Sequence, residues 1–106
     1  MVYVDRNVLT DFCYDVFRSL GLNDDEAKDS ALILVSADSR GISSHGVSRL
    51  KRYVNGIKKG VMLSGVEPTV LRDSTLSFAL DANGAMGLSL SRKTMDKVIQ
   101  RAKEHG

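Results

Sequence analysis

Asp38-Ser-Arg-Gly-Ile-Ser-Ser-His-Gly-Val-Ser-Arg49, running on into Leu50-Lys-Arg-Tyr53, is the stretch whose reading decides the fold. It gathers Asp38, Arg40, Ser43, Ser44, His45, Arg49 and Tyr53, most of them groups that donate, accept or carry a proton. Ser43 and Ser44 have side-chain oxygens suited to the free N–H groups of a new helix, so the spacing predicts a helix from about Ser44 to Lys59. Val47, Leu50, Val54, Ile57 and Val61 then recur at spacings of three and four, an apolar stripe. His45, Arg49 and Tyr53 are four apart and share a second face of that predicted helix. A histidine in a first helical turn suits proton acceptance. Arg49 offers a planar fork that matches a carboxylate. Base, anion clamp and small hydroxyl donors together are what a 2-hydroxy or 2-keto acid needs. The bland alternative is a solvated His and Arg one turn apart with no task, the commoner meaning of such a pair.

Upstream, two helices are predicted. Leu9, Phe12, Cys13, Val16, Phe17 and Leu20 fall on one continuous face between Asp5, a suitable cap, and Gly21, a suitable stop. Asn23 caps the second helix, and Asp24, Asp25 and Glu26 fill its first turn, where the dipole favours anions. Ala31-Leu-Ile-Leu-Val35 is apolar all round, so this helix needs cover on more than one face.

Downstream, Lys58, Lys59 and Gly60 end the third helix. Met62 to Glu67 reads as a loop, with Pro68 biasing Glu67 towards extended backbone. Thr69–Arg72 reads as a short strand and Asp73-Ser74 as a tight turn. Thr75–Asp81 alternates as a second strand, with Leu76, Phe78 and Leu80 on one face. Asn83-Gly84 opens another turn. A last helix from about Gly87 to Glu104 is expected to turn Leu88, Met95, Val98, Ile99 and Ala102 inward. Gly84-Ala-Met-Gly87 matches neither phosphate-binding glycine pattern and reads as a tight turn.

Composition bounds the rest. With 106 residues the chain is at most one domain, and its 42% apolar and 26% charged content is ordinary for a globular protein. A net charge of +2 is too small to argue for nucleic acid or an anionic membrane. Neither a membrane span nor a signal peptide is visible, so the expected compartment is the cytoplasm. Cys13 is the sole cysteine, which excludes an internal disulfide, and its place on an apolar face predicts a buried, inert thiol. His45 and His105 are the only histidines and lie far apart in sequence, so no metal site is expected. The strand and helix at the C-terminal end form half of a βαβ unit, and a return strand would follow where the chain reaches Gly106. The sequence therefore reads as the N-terminal part, from Met1, of a larger fold.

Asp38, Arg40-Gly41, Ser44-His45-Gly46, Arg49, Tyr53 and Gly60 together resemble the signature of the malate/L-lactate/L-sulfolactate dehydrogenase family. This non-Rossmann family includes ureidoglycolate and diketogulonate enzymes. The resemblance covers nearly all of this chain and about the first third of a family member. It implies an α+β arrangement here, a three-helix segment, a β-hairpin and a helix, as an incomplete part of a larger α/β fold. Residues 1–66 would be the helical segment with the Ser-His-Gly-x-x-Arg motif, and 67–106 the start of the nicotinamide-binding domain. It further implies hydride transfer between NAD or NADP and a small 2-hydroxy or 2-keto acid by a homodimer. His45 is then the catalytic acid/base, or a support for a later histidine, and Ser44 and Arg49 bind substrate. The cofactor would be held mainly by residues beyond Gly106, and 106 residues alone would be inactive.

The rival class is a helix-turn-helix nucleic-acid-binding module. In that reading Ser44, His45, Ser48, Arg49, Lys51 and Arg52 would lie on a recognition helix. The acidic start of the preceding helix and the small net charge weigh against it.

Overall fold

The computed structural model describes all of residues 1–106. Asp5 Oδ1 accepts from the N–H groups of Asn7 (2.9 Å) and Val8 (3.0 Å) and starts α1, Arg6–Ser19. Gly21, at φ 94°, closes it: its N–H reaches the Arg18 carbonyl while the N–H of Leu22 reaches Phe17. Asn23 then accepts from Glu26 N–H at 2.9 Å and starts α2, Asp24–Ser39. Both helices match the sequence expectation, caps included.

Helix α2 is the centre of the molecule. It packs against α1 on one side and, on the other, against α4, Gly87–His105. That second partner covers part of the apolar run, but Leu32 remains 37% exposed. Cys13, Phe17, Leu22, Ala27, Ala31, Leu34 and Val35 form the core with Leu50 and Met86. The buried stripe of α1 is narrower than predicted. Phe12 is 55% exposed, on the side of α1 that faces away from the buried Cys13 and Phe17. The Cys13 thiol is fully buried, and burial, followed by the nearby Asp38 carboxylate, pushes its pKa up.

Small side chains characterise α2 and its partner. Ser30 on α2 and Ser89 on α4 are buried, and neither hydroxyl has a hydrogen-bond partner. A buried polar group left unpaired costs about 1–3 kcal/mol. Ser89→Ala is therefore expected to stabilise the chain by about 1 kcal/mol and to raise the thermal midpoint by about 4 °C. A fall in the midpoint would show that the hydroxyl is engaged.

A buried carboxylate fixes the 60s loop. Glu26, 6% exposed, accepts from Ser64 Oγ (2.5 Å) and from Gly65 N–H (2.8 Å). Its cost of burial is offset by charge-assisted hydrogen bonds.

The sheet is a single antiparallel hairpin. β1, Thr69–Asp73, pairs with β2, Phe78–Asp81, and a bulge lies between Val70 and Arg72. The second strand is shorter than its alternation predicted. Ser74 donates its N–H to the Ser77 carbonyl at 2.8 Å and its hydroxyl to the same oxygen at 3.0 Å, so residues 75–77 belong to the turn. Leu76 stands 79% exposed at the tip. The hairpin is tied to α4 through Asp73, which meets Arg101 at 2.5 Å and Lys97 at 3.4 Å. Arg101 chiefly, with Lys97, holds the Asp73 carboxyl below the usual carboxylate range. The expected inward stripe of α4 is open: Met95, Val98 and Ile99 are 55%, 43% and 45% exposed, and only Ser89 of this helix is buried. Its first turns lie on α2, and the hairpin covers only part of the rest.

Candidate functional site

The decisive stretch does not form the continuous helix predicted for it. Ser43–His45 and Val47–Arg49 are separate turns of 3₁₀ helix, and α3 runs only from Leu50 to Lys58. Ser43 and Ser44 make no capping bond. The break falls at Gly46, with φ −94° and ψ −149°. There the Asp38 carboxylate, from the last turn of α2, accepts the Val47 N–H at 2.8 Å. The cap thus comes from nine residues upstream.

His45, Arg49 and Tyr53 consequently do not share one helical face. Tyr53 is half-buried and meets Phe17 edge to face, with ring centroids 6.5 Å apart. It belongs to the core. His45 is exposed, and Arg49 is half-buried.

Ser44 joins these two. Its hydroxyl lies 2.9 Å from His45 Nδ1, and its carbonyl accepts from Arg49 Nε at 2.5 Å. Ser48 adds a hydrogen bond from its hydroxyl to the Ser43 carbonyl at 2.8 Å. His45 Nε2 and the terminal Nη1 and Nη2 of Arg49 make no hydrogen bond within the chain. The fork keeps two parallel donors for an anion, and the imidazole keeps one nitrogen for a proton. So the sequence-predicted trio Ser44, His45 and Arg49 is brought together, by a route other than helical periodicity. Asp38 and Gly46 are the residues whose part in the site the periodic reading missed.

The site is an open surface. A cleft of about 290 Å³ elsewhere is lined by Glu26, Gly65, Pro68, Ser89, Lys93 and Lys97 among others, and by no residue of the 38–53 stretch. The Gly84–Gly87 turn does not fit a dinucleotide phosphate. Ala85 N–H is spent on the Ala82 carbonyl and Met86 N–H on Leu63. Gly84 stands at φ 81°, in the left-handed region that favours glycine, and a Cβ there would also come within 3.3 Å of Leu63 Cδ1. No group of three His, Cys, Asp or Glu residues is placed to hold a metal ion. No helix is long and apolar enough to cross a membrane.

The helix-turn-helix outline loses its reading element. A recognition helix carrying Ser44, His45, Ser48 and Arg49 would have to start at Ser44, and α3 starts at Leu50. Comparison with known proteins gives that class no support either. The malate dehydrogenase of Pyrococcus horikoshii is 36% identical over 111 residues, an alignment spanning 98% of this chain and 31% of that protein. Its solved structure superposes with a TM-score of 0.94 at 35% identity, covering 99% of this chain and 30% of the other. The L-sulfolactate dehydrogenase of Methanocaldococcus jannaschii is 28% identical over 92 residues, which is 87% of this chain and 27% of that one. The chain thus spans a little under one third of the length of these relatives. The family described as malate/L-lactate dehydrogenase matches residues 4–106, and the chain belongs to it.

Proposed function

We propose that this chain works as the N-terminal part of an oxidoreductase that moves a hydride between NAD or NADP and a small 2-hydroxy or 2-keto acid such as malate, lactate or sulfolactate. The observation that carries this reading is the double hold on Ser44. One hydrogen bond orients the His45 ring, another orients the Arg49 guanidinium, and both free ends are left for a ligand. His45 Nε2 takes the C2 hydroxyl proton on oxidation and returns it on reduction, the general acid–base work for which imidazole is the side chain most often used. Arg49 pairs its fork with the carboxylate and fixes the direction in which C2 points. Ser44 keeps Nδ1 occupied, so that Nε2 is the nitrogen offered to substrate.

The Gly84–Gly87 turn does not fit a dinucleotide phosphate, so the nicotinamide is assigned mainly to residues beyond Gly106 of a family-length chain. Residues 1–66 form the segment with the substrate motif, and 67–106 begin the domain that would carry the cofactor. The working form is a cytoplasmic homodimer, and the 106-residue chain alone is inactive.

Arg49→Ala tests the clamp. With residues 1–106 as the start of a family-length chain, nicotinamide absorbance is followed across a panel of 2-hydroxy and 2-keto acids. The variant is expected to raise KM at least about tenfold and to lower kcat as well. An unchanged KM across the panel would remove Arg49 from the site.

A further inference from the structure

Between the end of α2 and the start of α3 the chain is anchored by packing, through buried Gly46 and half-buried Val47 against the core, while its polar side chains stay outside. Ser43, Ser44, His45 and Ser48 are exposed. The hydrogen bonds of Ser48 and Arg49 tie the second turn to the first, but they fix neither turn to the helices beneath. One side-chain hydrogen bond enters residues 43–49 from outside, the one from Val47 N–H to Asp38 Oδ2.

Gly46 marks the same contact from the other side. A Cβ added there would lie 2.0 Å from Asp38 Oδ1 and 2.2 Å from its Cγ. The φ of Gly46, −94°, is not in the left-handed region that favours glycine, whereas the carboxylate leaves no room for a Cβ. Asp38 itself sits in the last turn of α2, where the helix dipole disfavours an anion, and it forms no ion pair. What offsets that position is the bond to the next segment.

We propose that Asp38 is the positioning residue of the site: its carboxylate, wedged against Gly46 and bonded to Val47, sets the angle between the His45 turn and the Arg49 turn. It thereby sets how far the proton acceptor stands from the carboxylate clamp. The consequence for turnover rests on the function proposed above. The wedge itself is a property of residues 38–49 and is measurable in the 106-residue chain.

Nitrogen-15-labelled chain is compared with Asp38→Ala, Asp38→Asn and Gly46→Ala. Asp38→Ala is expected to speed hydrogen exchange at the Val47 amide at least about tenfold and to shift the His45 ring and Arg49 Nε signals, while amides around Cys13 and Phe17 stay in place. Asp38→Asn, whose side-chain oxygen accepts the same N–H, restores both. Gly46→Ala is expected to displace the same signals, and to change little when Asp38→Ala is already present, because nothing is left to strike. In a family-length chain, Asp38→Ala lowers kcat/KM about 10- to 100-fold, and Asp38→Asn recovers most of it. Gly46→Ala reads the contact independently, so the test stands if one variant fails to fold. A Val47 amide indifferent to Asp38→Ala, or a Gly46→Ala effect equally large with and without Asp38, overturns the positioning role. The expected signal changes in the 106 residues establish the wedge. If turnover then ignores both His45→Ala and Arg49→Ala, it is the proposed function that fails.

Discussion

His45→Ala is expected to lower kcat by about 10²–10⁴ in a family-length chain if the imidazole is the acid/base. The argument is one of access and orientation. His45 is exposed, so its loss opens no cavity, and the effect on stability should stay within about 0.5 kcal/mol. With Nδ1–H donating to Ser44 Oγ, Nε2 is the nitrogen that takes the hydroxyl proton. The kinetic signature separates two roles. An acid/base lost from the transition state lowers kcat and kcat/KM together, whereas a binding residue raises KM and spares kcat. Steady-state assays of both directions, together with Arg49→Ala, distinguish them. A histidine variant with unchanged kcat would hand the proton to another group.

Phe17→Ala is expected to cost about 3–5 kcal/mol, a large share of the stability of a chain this size. Only 14 of 106 residues are buried, so this core has little to spare. Phe17 is fully buried and bridges three helices: it lies on α1, packs in the cluster that α2 dominates, and meets Tyr53 of α3 edge to face. The hole left by the ring would border Tyr53, in a buried cluster of nine residues too thin to collapse around it. Val8→Ala on the exposed side of α1 is the control, with a change within about 0.5 kcal/mol. Urea titration of both variants measures the difference. A loss under about 1 kcal/mol for Phe17→Ala would place the core elsewhere.

Helices α1 and α2 were legible because their signals are local: a capping Asp or Asn, an apolar stripe and a glycine that turns left-handed. The start of α3 was not. Ser43 and Ser44 have the chemistry of a cap, but the bond that organises the break comes from Asp38 on another helix, and periodicity carries no information about it. A signal was available, since an aspartate in the last turn of a helix opposes the dipole and asks for a partner. Tyr53 misled for a related reason. Its four-residue spacing from Arg49 is real, yet the extra turn at Gly46 and the tertiary pull of Phe17 assign it to the core. Ser44, His45 and Arg49 stand close together, as their compact spacing in sequence suggested, even though the geometry that joins them is not helical. On α4, the stripe of Met95, Val98 and Ile99 was correctly seen as apolar, but amphipathicity tells which side is apolar and not whether anything lies against it.

The contact between Asp38 and Gly46 also bears on the order in which this sequence is free to drift. With the carboxylate in place, any side chain at position 46 collides with it. With the carboxylate gone, glycine at 46 is no longer required, but the Val47 turn has lost its hydrogen bond to α2. Each position therefore guards the other. A path to a larger residue at 46 passes first through a shorter one at 38, by way of an intermediate with a loosened loop. Selection that tolerates neither step keeps both residues, with no ligand ever touching them.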